Sequence, residues 1–181
     1  IKHVARGRRA DGVIVIGQSL YHDALNRQAA DFPTVVWGAR IPGQKYVSIG
    51  SDNEAGGHDA TTHLLAQGCR QIVFLGDPAA PEVAARLQGH LRALEEAHVD
   101  SHPNLQIPVR FGSDTAYHAI GGLLSADVDF DGVVACSDVF AIGAMRALAE
   151  RGRRVPADVA VVGFDDIPFA AHTMPPLTTM R

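Results

Sequence analysis

The sequence predicts an α/β fold in which parallel sheets are flanked by helices. Short, continuously apolar runs of strand length recur along the 181 residues, and amphipathic stretches separate them. Runs of this kind are typical of strands that are buried on both faces, as in parallel sheets. The alternation of strand and helix at this spacing indicates right-handed crossover units.

The predicted elements follow one another in a regular order. The strands are GVIVIG (12–17), TVVW (34–37), YVSI (46–49), QIVFLG (71–76), GVVACS (132–137) and VAVVGF (159–164). The helices cover residues 22–31, 54–67, 82–98, 114–126 and 138–152. In the last helix, apolar residues share one face at the 3.6-residue period: Ala141, Ile142, Met145 and Leu148.

Residues at the predicted helix ends have the chemistry that such positions require. Candidate N-terminal caps precede or open three of the helices: Asp52 or Asn53, Asp114 or Thr115, and Asp138. Gly68 and Gly152 stand where helices should end, because glycine tolerates the left-handed conformation found there.

Composition narrows the classes of function. The chain is 46% hydrophobic and carries a formal charge of −4, which argues against a nucleic-acid surface within it, since phosphate binding needs a dense basic patch. The basic cluster of Lys2, Arg6, Arg8 and Arg9 is interpreted as a solvated helix end. No apolar run approaches the roughly 20 residues of a membrane helix. Cys69 and Cys136 are expected to be buried thiols in a reducing compartment, although a disulfide between them stays open.

Motifs for catalysis are weak or absent from the sequence. There is no G-x-S-x-G elbow, no phosphate-binding glycine loop and no histidine placed to activate a cysteine. The pairs His98/His102 and His58/His63 have poor geometry for a metal. The paired acids Asp165 and Asp166 could hold Mg²⁺ for phosphoryl transfer. That chemistry normally requires a lysine at a later strand end, and the only lysines of the chain are Lys2 and Lys45. We therefore expect no enzyme activity, no cofactor and no metal.

The fold class predicts where a ligand binds. In open α/β sheets, ligands lie beyond the carboxyl ends of the strands. Those ends are mostly small or polar: Gly17–Ser19, Gly38–Arg40, Gly76–Asp77, Ser137–Asp138 and Phe164–Asp166. They are suited to line a crevice, although each could equally be an ordinary loop.

The stretch RGRRVPADVAVVGFDDIPFAAHTMPPLTT resembles the C-terminal signature of the lactose-repressor/galactose-repressor (LacI/GalR) family of bacterial transcriptional regulators. Further stretches match in the order and spacing of that family: ADGVIVIG, YVSIGSDNEAGGHDATTHLLAQGCRQIVFLGDP, ARLQGHLRALEEA and GVVACSDVFAIGAMRALAERG. The resemblance covers essentially the whole chain.

This resemblance implies a two-lobed periplasmic-binding-protein-like fold, with lobes joined by crossover strands and an effector in the cleft between them. Residues 1–50 would be part of the N-terminal lobe and residues 51–176 the C-terminal lobe, and residues 177–181 would cross back. In this family a DNA-binding helix-turn-helix domain precedes the core. That domain is absent from this chain, and both ends of the chain look cut.

The resemblance also implies ligand-binding residues. Arg86 in ARLQG matches an arginine that reaches hydroxyl or carboxylate groups of the ligand, and Phe111 matches an aromatic residue on which a sugar or base ring stacks. Ser137 stands where many members have asparagine. Asp165 matches an acceptor for two neighbouring hydroxyls, whereas Asp166 is interpreted as local structure. The alternatives left open are a surface ion pair for Arg86, ordinary core for Phe111 and a plain turn for Asp165.

The function implied is that of a cytoplasmic effector-binding and dimerisation core. Its expected partners are a sugar or sugar derivative, a second copy of the chain, and operator DNA through the helix-turn-helix domain, with no membrane contact. Ile142 and the loop from Phe169 to Met174 are candidate dimer surfaces. The alternative function is a periplasmic sugar-binding protein of a transporter, which has the same bilobal fold.

Overall fold

The computed structural model describes residues 11–17 and 21–181 and divides into two compact units. Unit 1 comprises Ile1–Asp52 and Ala79–Glu82, and unit 2 comprises Asn53–Pro78 and Val83–Arg181. The basic cluster of Lys2 to Arg9 lies outside the described residues, as does Ser19 at the end of the first predicted strand.

Unit 1 contains a parallel sheet with strands in the order β1-β2-β3. Its elements are β1 (Val13–Ile16), α1 (His22–Ala29), β2 (Thr34–Trp37) and β3 (Val47–Ile49). Leu25 of α1 packs with Val36 and Tyr46 in a small core. Apolar residues of the same three strands are exposed: Ile14, Ile16, Trp37, Val47 and Ile49. In the described residues, the predicted burial on both faces therefore does not hold for this sheet.

Unit 2 is built on a five-stranded sheet in the order β5-β4-β6-β7-β8, and every pairing in it is parallel. Its strands are β4 (Ile72–Leu75), β5 (Gln106–Ile107), β6 (Gly132–Ala135), β7 (Ala160–Phe164) and β8 (Thr178–Met180). Its helices are α2 (Asn53–Ala66), α3 (Pro81–Glu96, whose first two residues fall in unit 1), α4 (Ser113–Ser125) and α5 (Asp138–Glu150). Every residue of β4 and β6 is buried, which confirms the prediction of strands covered on both faces.

The strand order places a topological switch point between β4 and β6. The chain leaves β4 for β5 on one side of the sheet and leaves β6 for β7 on the other. Ligands of open α/β sheets bind where the strand order reverses in this way. The packing is tight there, since a Cβ on Gly76 would collide with the side chain of Cys136.

The helix ends confirm some predictions and correct one. Gly68 has φ 98° and Gly152 has φ 70°, as expected for left-handed residues after α2 and α5. The caps predicted at Asp114 and Thr115 are wrong, because α4 begins earlier, at Ser113. The Thr115 hydroxyl instead donates back to the carbonyl of Gly112 at 2.7 Å.

The shortest elements were not predicted, because so few residues show no periodicity of apolar positions. The strand β5 has only two residues, and 3₁₀ turns occupy Pro103–Leu105 and Pro168–His172.

Cys69 and Cys136 are both buried free thiols. Burial raises the pKa of the Cys136 thiol to about 12, so this thiol is a core group. In the described part of the chain, no helix has the length and apolar character needed to span a bilayer.

Candidate functional site

Arg86 is held at the carboxyl edge of the unit 2 sheet by three separate elements. Its Nε donates to Oδ1 of Asn53, the buried first residue of α2, at 2.8 Å. Its Nη1 donates to the carbonyl of Cys136, directly after β6. Its Cζ lies 3.6 Å from the ring centroid of Phe164, the last residue of β7. The guanidinium is therefore fixed beside the switch point before any ligand arrives.

Asp165 follows β7 in a backbone conformation that side chains rarely adopt. Its φ is 107°, and the next residue, Asp166, has φ 50°. The amide of Asp165 donates to the carbonyl of Met180 on β8 at 2.9 Å. Consecutive non-glycine residues with positive φ cost conformational energy, and such strain is concentrated at functional sites.

No described residue donates a hydrogen bond to the carboxylate of Asp165, although the positive charge of Arg86 acts on it. Partial burial raises the pKa of Asp165; Arg86 opposes this rise and the nearby Asp138 carboxylate adds to it. A partly exposed acceptor near a fixed cation is chemically suited to bind hydroxyl groups.

Phe111 lies beyond the end of β5, with 77% of its surface exposed. Its ring centroid is 5.6 Å from that of Phe140 in the first turn of α5. The structure therefore excludes the alternative in which Phe111 is ordinary core. A large aromatic ring left in solvent at the carboxyl edge of the sheet is available for stacking.

Ser137 is only 4% exposed and serves as the N-terminal cap of α5. Its Oγ accepts from the amide of Phe140 at 3.4 Å. The structure thus gives the hydroxyl a local role in the helix. A direct ligand contact by Ser137 stays a prediction.

Sequence reasoning did not identify two residues at this edge, Asn53 and Phe164, as members of the candidate site. The sequence marks Asn53 only as a candidate helix cap, yet its side chain also accepts from Arg86. Phe164 belongs to the apolar run of β7. Nothing in that run shows whether its ring contacts the guanidinium of an arginine or packs in the core. The adjacency of Phe164 to Asp165 is the signal that could have identified it.

A cavity of about 490 Å³ lies at the opposite edge of the same sheet. It is lined by the start of β6, β7 and β8 and by the end of α2, with these polar residues: His63, Gln67, Asp131, Asp158 and Thr178. Its acids already have partners, since Asp131 accepts from two backbone amides and Asp158 pairs with Arg154. Size alone would favour this cavity, but the strained acceptor and the fixed cation favour the carboxyl edge.

His90 lies one helical turn beyond Arg86 and is 2% exposed. Its Nδ1 is 2.9 Å from the hydroxyl of Thr61, which itself donates to the carbonyl of Gly57. Nδ1 therefore carries the proton and donates to Thr61. Burial lowers the pKa of His90 from its ordinary 6.5 to about 4, so the neutral ring belongs to the folded state.

We predict that this histidine makes the protein less stable in mild acid. The unfolded chain gains a proton on His90 below its ordinary pKa of 6.5, whereas the folded chain gains it only near its pKa of about 4. The free energy of unfolding should fall across that interval, by about 3 kcal/mol at its lower end. Urea denaturation at several pH values measures the slope. His90→Gln should flatten it and the exposed-site control His118→Gln should not; equal slopes in all three proteins would refute the prediction.

Comparison with known proteins identifies the family of the chain. A family model described as a periplasmic binding protein-like domain matches residues 61–181, more than half of the chain. The chain belongs to this family of periplasmic binding protein-like domains. Among proteins of this family, the chain is similar to bacterial transcriptional regulators.

A curated relative of this periplasmic binding protein-like domain is the HTH-type transcriptional regulator CelR of Thermobifida fusca. The two are 36% identical over 181 residues, which is 97% of this chain and 53% of the relative. A solved CelR–cellobiose complex is 33% identical with a TM-score of 0.87, and the match covers 98% of this chain and 55% of that one.

A LacI-family sugar-binding regulator of Escherichia coli, solved with phosphate, is 28% identical with a TM-score of 0.83. The match covers 98% of this chain and 65% of that one. The resemblance to LacI/GalR regulators is thus confirmed. The chain spans about half the length of the curated relatives that it matches.

Proposed function

We propose that this chain is the cytoplasmic effector-binding core of a bacterial transcriptional regulator, and that its effector is a sugar or sugar derivative. The effector binds at the carboxyl edge of the unit 2 sheet, where Arg86 donates to it and Asp165 accepts from it. The single observation that carries this proposal is the strained Asp165, whose carboxylate lacks a donor among the described residues while Arg86 is fixed nearby.

A sugar matches this arrangement because adjacent hydroxyls both donate and accept hydrogen bonds. A carboxylate accepts from two neighbouring hydroxyls, and the planar guanidinium donates to vicinal oxygens. Arg86 is ordered before binding by Asn53, Cys136 and Phe164. Because the side chain is already ordered, binding of the effector carries a smaller cost in conformational entropy. The cellobiose in the complex of the related regulator supports the choice of sugars.

The regulatory step follows from linkage. An effector changes the state of a regulator only by as much as it prefers one state over the other, and such coupling is typically about 1–3 kcal/mol. A charge-assisted hydrogen bond contributes about 1.5–3 kcal/mol. Contacts of Arg86 and Asp165 that form in one state alone would therefore supply the coupling to a helix-turn-helix domain bound to operator DNA.

Calorimetric titration of the purified protein tests the proposal. The panel comprises cellobiose, glucose, pentoses and hexose phosphates. We expect saturable binding of at least one of them, with one sugar per chain, and strong weakening in Arg86→Met. Heats of dilution throughout the panel, or equal affinity in the variant, would contradict the proposal.

We predict that Phe111 contributes affinity without contributing stability. Phe111→Leu should weaken binding of the best sugar by about fivefold to tenfold, because aromatic contact is worth on the order of 1 kcal/mol. Phe111→Tyr keeps the ring and should bind like the wild type. Calorimetry measures the affinities and thermal melts monitor stability, which should hardly change because the side chain is 77% exposed. Equal affinities for Leu and Tyr would remove Phe111 from the site.

We propose further that the chain dimerises through the loop after β7. In this loop Met174 is 96% exposed and Phe169 is 59% exposed, and exposed apolar clusters of this kind favour association. Ile142 of α5 is only partly buried and is a second candidate for the interface. Sedimentation equilibrium should show a dimer for the wild type and a monomer for Met174→Lys with Phe169→Lys. A dimer that survives both changes would place the contact elsewhere.

A further inference from the structure

The carboxylate of Asp138 is the buried anchor of the loop that follows β7. Asp138 is the first residue of α5 and is 0% exposed. Its Oδ2 accepts from the amide of Ile167 at 2.8 Å, and its Oδ1 accepts from the hydroxyl of Thr179 at 2.5 Å. One buried side chain therefore ties together the start of α5, the loop and β8.

Thr179 extends this anchor to the strained pair of aspartates. Its Oγ1 donates to Asp138 and accepts from the amide of Asp166 at 3.3 Å. The amide of Asp165 is fixed to the same strand through the carbonyl of Met180. Both residues with positive φ are thus held by β8, and Ile167, directly after them, is held by Asp138.

Gly163 provides the space for this arrangement. It pairs with Thr179 across β7 and β8, and a Cβ on it would collide with Oδ1 of Asp138. A side chain at position 163 would displace the carboxylate from both of its donors. Position 163, in the middle of β7, is therefore occupied by glycine, which leaves room for the carboxylate of Asp138.

We propose that Asp138 and Thr179 are positioning residues for the effector: they hold residues 165–167 so that Asp165 keeps its left-handed conformation. This inference rests on the proposed function, in which Asp165 accepts from the effector. Without the anchor, residues 165 and 166 would relax toward negative φ, which is the lower-energy region for aspartate. Relaxation would move the acceptor away from Arg86. Losing the anchor should therefore lower affinity as well as stability, because the buried carboxylate of Asp138 is left short of a donor.

A matched pair of variants at position 179 tests the proposal. Thr179→Val keeps the shape and removes the bridging hydroxyl, whereas Thr179→Ser keeps the hydroxyl. With the best sugar from the calorimetric panel, Val should weaken binding about tenfold and Ser should bind like the wild type, since the Val variant loses two hydrogen bonds. In the Asp165→Asn background, Thr179→Val should have little further effect, because the anchor acts through Asp165.

Amide hydrogen exchange in the sugar-free protein tests the anchor independently. The amide of Asp166 should exchange about tenfold faster in Thr179→Val and at the wild-type rate in Thr179→Ser, and the amide of Ile167 should exchange faster in Asp138→Asn. Unchanged exchange in these variants would overturn the proposal. So would unchanged affinity in Thr179→Val when the wild type binds sugar. If the wild type binds no sugar, the proposed function fails, and the exchange result alone decides whether the two residues hold the loop.

Discussion

Asp165→Asn is expected to weaken sugar binding about a hundredfold, because the effector loses a charged acceptor for two hydroxyls, each worth about 1.5–3 kcal/mol. The free energy of unfolding should stay within about 0.5 kcal/mol of the wild type, since asparagine has the same shape and tolerates positive φ. Calorimetry and urea denaturation measure the two quantities. Asp166→Asn is the matched control, because Asp166 pairs with Arg181 at the surface, and it should bind normally. Equal affinity in all three proteins would refute a ligand role for Asp165.

Asp165→Gly separates binding from strain at the same position. Glycine adopts φ near 107° without steric cost, so the folded state should gain about 1 kcal/mol of stability. The same variant should bind sugar as weakly as Asp165→Asn. A position where the natural residue lowers stability and raises affinity is selected for function. Destabilisation by glycine would show instead that the aspartate side chain supports the fold.

Gly89→Ala is expected to destabilise unit 2 by about 3 kcal/mol, at the upper end of the usual cost of overpacking. A Cβ at position 89 of α3 would overlap the backbone of α2 at Glu54 and His58. Backbone cannot move aside as a side chain can, so the two helices must separate. Since Arg86 and Asn53 lie on these same helices, sugar binding should weaken as well.

Gly122→Ala is the matched control for the helix contact. Gly122 lies in α4, and nothing lies within 4 Å of the position that an alanine Cβ would take there. The alanine variant should gain about 0.5–1 kcal/mol from better helix propensity. Urea denaturation of both variants gives the comparison. Equal effects of the two substitutions would mean that the close approach of α2 and α3 does not constrain position 89.

The regular elements of unit 2 could be predicted because their patterns are strong. The buried run of β4 and the glycine that ends α2 follow from local chemistry that tertiary contacts do not oppose. The strand β5 could not be predicted, since two residues carry no periodicity. The cap assigned to Asp114 was wrong because a helix beginning at Ser113 and one beginning slightly later share nearly the same apolar pattern.

The candidate site was only partly accessible from the sequence. The strand-end rule indicated the carboxyl edge of the sheet, and the family resemblance indicated Arg86 and Asp165. The contacts of Arg86 with Asn53 and Phe164 join distant segments, so local sequence patterns could not reveal them. The left-handed backbone at Asp165 comes with a hydrogen bond from its amide to Met180 on the distant strand β8, and sequence alone suggested a plain turn as readily.

Amide chemical shifts of the isotope-labelled protein during a sugar titration test most directly whether the effector binds at the carboxyl edge of the unit 2 sheet. The largest shifts are expected at Asn53, Gly76, Cys136 and Asp165, around the fixed guanidinium of Arg86. Shifts concentrated at His63, Gly68 and Asp131 would instead place the sugar in the cavity at the opposite edge and contradict the claim.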